Sequence, residues 1–165
     1  MNKGIKWIKE LLPYIIIILV VVLVKKFIFT PVIVNGNSML NTLHNGDVMI
    51  LDKIGMKIGG IKRFDIVVIQ TERSKIIKRV IGLPGELIEY KDNQLYINGE
   101  KLEDNYGSQI TFDFKQMEIP ENHYFVLGDN RTDSVDSRIL GPIYENDILG
   151  HATFIIYPFN RLGSR

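Results

Sequence analysis

An uninterrupted apolar run from Leu11 to Val24 splits the chain into two parts that must meet their surroundings on different terms. Alone it is short for a bilayer, which asks for about 20 mostly apolar residues and no fewer than about 17. Borrowing Trp7 and Ile8 on one side and Phe27, Ile28 and Phe29 on the other reaches that length. Lys25 and Lys26 then snorkel to the interface, where Trp7 and the two phenylalanines also fit. A cleavable leader would be followed by a small-x-small site, but residues 25–37 are bulky or polar, so the segment reads as an uncleaved transmembrane helix. Lys3, Lys6, Lys9 and the terminal amine outweigh Lys25 and Lys26, which puts the amino terminus inside. The expected organisation is a cytoplasmic tail and single-pass anchor over residues 1–29. Residues 30–165 then form one domain on the outer face of the plasma membrane.

That second part is large enough to bury a core, since 45% of the 165 residues are hydrophobic. A formal net charge of +1 leaves no electrostatic footprint for nucleic acid, and no nucleic-acid-binding motif is present. With no cysteine, disulfides, thiolate metal sites and a cysteine nucleophile are excluded. Beyond Phe29 the pattern becomes short β-type runs separated by turn signals, so the expected fold is mostly β: a single compact domain behind the helix. The strand candidates are Val32–Val34, Val48–Asp52, Asp65–Gln70, Ile76–Ile81, Leu87–Tyr90, Leu95–Ile97, Tyr124–Leu127 and Ile148–Ile156. Pro84-Gly85 suits a type II turn, while Asp92-Asn93 and Asn98-Gly99 suit tight hairpins. Gln109–Glu118 reads as either a strand pair or a loop. Nothing in the pattern specifies an oligomeric state.

One of these strands carries an anomaly. In Ile76-Ile77-Lys78-Arg79-Val80-Ile81, alternation puts Ile76, Lys78 and Val80 on one face, so the Lys78 amine is expected among hydrocarbon. Burial disfavours the ammonium form and makes a neutral amine available as a general base. Neutralising it at pH 7 costs about 4 kcal/mol, which packing against Ile76 and Val80 is able to impose. A neutral lysine can activate a serine, and Asn37-Ser38-Met39 offers one. His44, His123 and His151 have neither triad company nor metal-ligand spacing.

Three segments taken in order go further. They are Gly36-Asn37-Ser38-Met39-Leu40-Asn41-Thr42-Leu43, Lys78-Arg79-Val80-Ile81-Gly82-Leu83-Pro84-Gly85-Glu86, and Gly128-Asp129-Asn130-Arg131-Thr132-Asp133-Ser134-Val135-Asp136-Ser137-Arg138. With Phe64–Val68 and the tail Tyr157–Gly163, the chain closely resembles the type I signal peptidases over nearly its whole length. These are membrane-anchored Ser-Lys endopeptidases that remove signal peptides from exported preproteins. The resemblance implies Ser38 as nucleophile and Lys78 as general base, with no metal or organic cofactor. It also implies that Ser134 holds the lysine amine, that Asp129, Asp136 and Arg138 form a polar scaffold beneath the site, and that Val32, Val34, Met39, Leu43, Val68 and Ile77 line shallow pockets. Such pockets imply small residues at the first and third positions before the cut, in the Ala-x-Ala manner. Preprotein signal peptides and the lipid bilayer are the implied partners.

The chain departs from the family pattern twice. Gly36 stands where some members supply a serine hydroxyl to the oxyanion, and Asn41 stands where proline usually stiffens the turn behind the nucleophile. The cluster Asp129, Asp133, Asp136 invites a calcium-loop reading, but Arg131 falls on a ligand position and the required glycine is missing. Two other functions share the pattern: a membrane-tethered β module that binds extended peptides without cutting them, and a Ser-Lys self-cleaving repressor. The repressor is soluble and carries a DNA-binding domain, against which the apolar run argues.

Overall fold

The computed structural model describes residues 3–27, 30–107 and 110–164. The chain opens with α1 (Lys3–Phe27), which contains Pro13. The strand β1 (Thr30–Ile33) precedes a loop and β2 (Val48–Asp52), which runs straight into the short helix α2 (Lys53–Gly59). Next come β3 (Ile66–Gln70), β4 (Lys75–Gly82), β5 (Leu87–Lys91), β6 (Gln94–Ile97) and β7 (Glu100–Leu102). The rest comprises β8 (Phe114–Glu118), β9 (His123–Leu127), α3 (Ser137–Leu140), β10 (Ile143–Tyr144), β11 (Ile148–Tyr157) and β12 (Gly163–Ser164).

The strands form two antiparallel sheets. In the larger the order is β1-β2-β11-β3-β4-β9-β10, with β12 added on β11; in the smaller it is β7-β6-β5-β8. Strand β3 (Ile66-Val67-Val68-Ile69-Gln70) is buried at every residue but the last, because both of its faces are covered. Val68 belongs to a cluster with Val34, Met39, Leu43 and Ile77, while Val67 and Ile69 pack with Val80, Val126 and Ile148 on the other side. A third cluster, built on Ile81, Ile88, Phe125 and Leu127, joins the two sheets. The turn signals perform as expected: Asp92 and Asn93 (φ 51° and 59°) join β5 to β6, and Asn98 and Gly99 (φ 53° and 83°) join β6 to β7.

The mostly β expectation holds, with additions. Helix α2 was not foreseen; it carries two glycines and buries no side chain, and its start is set by Asp52, whose carboxylate accepts the Gly55 amide at 2.7 Å. Strands β7 and β8 are edge strands with little apolar alternation. The expected transmembrane helix is helical, and its described side chains from Glu10 to Val21 are all exposed. Among the described residues, however, no helix is long and apolar enough to cross a membrane. Of the apolar run itself, the side chains of Val22, Leu23 and Val24 lie outside the described residues. Ile28 and Phe29, and the side chains of Ile8, Lys25, Lys26 and Phe27, lie outside the described residues.

Candidate active site

After β1 the chain leaves the sheet but stays tied to it, since Val34 N donates to Asp47 O at 2.8 Å and Gly46 N to Val34 O at 2.9 Å. Gly36, at φ 95°, turns the chain outward. A tight turn follows, closed by Leu40 N to Asn37 O, Thr42 N to Met39 O and Leu43 N to Met39 O. It is therefore well made with Asn41 in place of proline; the Leu40–Asn41 peptide is cis. Met39 and Leu43 plug the turn into the core, at 2% and 0% exposure, and this leaves Ser38 at its head. Behind the turn, Arg161 from the tail donates to both Asp47 oxygens and to Thr42 O.

Strand β4 carries Lys78 to the same place. Lys78 pairs with Val67 of β3 and is 3% exposed. Its Nζ stands 2.6 Å from Ser38 Oγ. Burial lowers the Lys78 pKa to about 8; Asp136 and Asp129 oppose this, Arg138 adds to it, and Asp133 opposes it weakly. Desolvation thus wins over the nearby carboxylates. In the neutral state the Ser38 hydroxyl donates to the amine, as general-base catalysis requires.

The loop after β9 supplies two separate ion pairs. Asp136 caps α3, accepts Gly128 N at 3.0 Å, and is gripped by Arg138 Nε and Nη2, each at 2.8 Å. Burial alone would push its carboxyl up, but the Arg138 and Gly128 hydrogen bonds outweigh it and hold the group below the usual aspartate range. Asp129 pairs instead with Arg79, at 2.9 and 2.7 Å, and accepts Thr42 Oγ1 at 2.5 Å. The Arg79 guanidinium also donates to Phe64 O and lies 3.8 Å from the centre of the Tyr106 ring. The scaffold is therefore two pairs, and Arg79 is the member that sequence reasoning missed. Its signal was visible as a second cation in the same apolar strand.

Other assignments come out differently. Ser134 makes no hydrogen bond to Lys78: its Oγ is buried without a partner, near enough to the Asp136 carboxylate to help keep it ionised but outside bonding geometry. Val32, Val34, Met39, Val68 and Ile77 do line one cleft of about 630 Å³, together with Leu51, Ile76 and Leu149. Leu43 does not line it; it is wholly core. The cleft lies between β1 and the start of β4. Strand β9 pairs with β4 only from Arg79 onward, so among the described residues the outer edge of Lys75–Lys78 is unpaired, as is the outer edge of β1. No group of three or more His, Cys, Asp or Glu among the described residues is placed to hold a metal ion.

Arg131, discounted above as a cation ligand, has a structural task. It is 2% exposed and donates to Gly128 O, Tyr90 Oη, Thr111 Oγ1 and Asp104 Oδ2, so it stitches the loop after β9 to the smaller sheet. Arg131→Met leaves the Asp104 carboxylate buried without its cation. Urea denaturation is expected to show a loss of about 3–5 kcal/mol, and a variant as stable as the parent would exclude this role.

A family model described as "Signal peptidase, peptidase S26" matches residues 5–157. Signal peptidase I T of Bacillus subtilis (strain 168) is 41% identical over 175 residues, which cover 98% of this chain and 89% of that protein. A signal peptidase I of Bacillus amyloliquefaciens is 42% identical over 160 residues, covering 88% and 83%. Among solved structures, a signal peptidase I from Enterococcus faecalis V583 superposes with a TM-score of 0.52 at 38% identity, covering 56% of this chain and 97% of the other.

Proposed function

Because the chain belongs to the signal peptidase family, peptidase S26, we propose that its serine endopeptidase activity, the removal of signal peptides from preproteins, is carried by Ser38 as nucleophile and Lys78 as general base. The observation that carries this assignment is the 2.6 Å separation of Oγ and a dry Nζ whose pKa is lowered to about 8. Neutral Lys78 takes the hydroxyl proton as Oγ attacks the scissile carbonyl carbon, and the Ser38 amide receives the developing oxyanion. The lysine returns that proton to the leaving amine. It then takes a proton from a water, which attacks the acyl carbon, and passes that proton to Ser38 Oγ as the ester C–O bond breaks. Ser134, with its unsatisfied hydroxyl, is assigned a second hydrogen bond to the amine during this cycle, and Asp136 with Arg138 holds the loop that presents it.

The two unpaired edges support the mode of substrate binding. An extended segment entering the cleft gains backbone bonds from β1 and from Lys75–Lys78, while alternate side chains meet Val34, Met39 and Ile77. Those walls are aliphatic and close, which favours alanine-sized residues at the first and third positions before the cut. Helix α1 is assigned as the membrane anchor, amino terminus inside, with the β domain on the outer face of the plasma membrane.

Ser38→Ala, purified in detergent with a preprotein bearing an Ala-x-Ala site, is expected to yield no mature product while melting as the parent does. Undiminished turnover would sink the dyad.

A further inference from the structure

The dyad explains how a proton leaves Ser38, but the other half of acyl transfer is the aim of the oxyanion donor. With Gly36 in the position where a side-chain hydroxyl would help, this falls on the Ser38 amide. Among the described residues, that N–H has no acceptor of its own. What holds it in place is on the opposite end of the same peptide group. A peptide is planar and trans, so the Asn37 carbonyl and the Ser38 N–H point in opposite directions in one rigid unit. Fixing the carbonyl fixes the N–H.

Asn130 does the fixing. It is 9% exposed and follows Asp129 in the loop after β9. Its Nδ2 donates to Asn37 O at 3.1 Å, and its backbone N donates to Ser38 O at 3.0 Å, so it grips the peptide groups on both sides of the nucleophile. Its own Oδ1 accepts Thr132 Oγ1 at 3.4 Å, which agrees with the amide being turned so that Nδ2 faces Asn37. Leu40 N supplies the second bond to the Asn37 carbonyl, also at 3.1 Å, and so saturates it. Hydrogen bonds to a carbonyl also polarise the N–H across the same peptide, strengthening it as a donor.

We propose that Asn130 is the positioning residue of the oxyanion site: its side-chain amide, by holding the Asn37 carbonyl, aims the Ser38 N–H at the carbonyl oxygen of the bond being cut. The inference rests on the Ser38–Lys78 assignment and adds a residue that touches neither the substrate nor the base.

The test uses the full chain in detergent with Asn130→Leu, which keeps the side-chain volume and deletes the donor, and with Asn130→Asp, which keeps the shape and deletes it differently. Loss of an oxyanion donor costs about 10²–10³-fold in turnover, and a donor left in place but poorly aimed is expected to cost about 10- to 100-fold in kcat. KM and the rising limb of the pH profile, which reports Lys78, are expected to stay where they are. A peptide aldehyde, which forms a tetrahedral adduct on the serine, should lose affinity in parallel with kcat, while an uncleavable peptide of the same sequence binds as before. Unchanged kcat in both variants overturns the proposal. So does a parallel loss of kcat, of uncleavable-peptide affinity and of melting temperature, which marks a merely structural residue. Neither result touches the dyad, which fails separately if Ser38→Ala still cleaves.

Discussion

Lys78→Met is expected to abolish processing and at the same time to raise the stability of the domain. The first effect follows from removing the base that faces Ser38 Oγ at 2.6 Å, and the loss is expected at about 10⁴-fold, the upper range for general-base catalysis. The second follows from the direction of the pKa displacement. Lys78 holds its proton less tightly in the folded chain, where its pKa is about 8, than in the unfolded chain at 10.5. The fold therefore carries a penalty of about 3 kcal/mol wherever both states are protonated, below about pH 8. That penalty fades as pH rises from about 8 toward 10.5. Methionine fills the same apolar slot with no charge to desolvate, so the variant should gain about 1–3 kcal/mol at neutral pH and nothing at pH 11. The parent's kcat/KM should rise with pH through an apparent pKa near 8, reporting the free enzyme. A limb near 10, or a variant destabilised at pH 7, contradicts a dry amine.

Gly128→Ala is the second large effect. A methyl group there would press on Ser134 Oγ and lie 2.5 Å from the backbone carbonyl oxygen of Ser38. The hydroxyl can swing away, but Ser134 Cβ, at 2.7 Å, cannot, and the Ser38 carbonyl is held by Asn130 N, so the turn bearing Ser38 and the loop bearing Ser134 are pushed apart. Displacing the reacting atoms by about 1 Å costs about 10²-fold, and kcat/KM is expected to fall at least that far. Circular dichroism and the melting curve should show a folded protein. Full activity in this variant would mean that the loop after β9 does not set the nucleophile's position.

Local signals made much of this legible before any coordinates. The anomaly of a cation in an apolar strand led to Lys78, and the tight-turn dipeptides placed the β5–β6 and β6–β7 hairpins. Alternation, however, assigned only one face of β4 to the interior, whereas Lys78 and Arg79 are both 3% exposed because the sheet is covered on both sides. Partner choice was also invisible: Asp129 lies in the same loop as Asp136 and Arg138, yet its guanidinium comes from Arg79, 50 residues upstream. Leu43 could not be told from a cleft residue, since core and cleft here are two sides of a single aliphatic cluster. Edge strands such as β8 (Phe114–Glu118) bury too little to leave a period in the chain.

The adjacency of Lys78 and Arg79 on one strand has a consequence for the enzyme's own safety during folding. If β4 docks one residue out of register, either Arg79 or Ile77 takes the place of Lys78, according to the direction of the slip. The alcohol then faces a guanidinium that never gives up its proton, or a hydrocarbon side chain. Either one-residue slip is therefore chemically silent, so cleaving power depends on the exact register of β4 against β3. A copy whose β4 is misaligned in this way has no means of cutting itself or its neighbours.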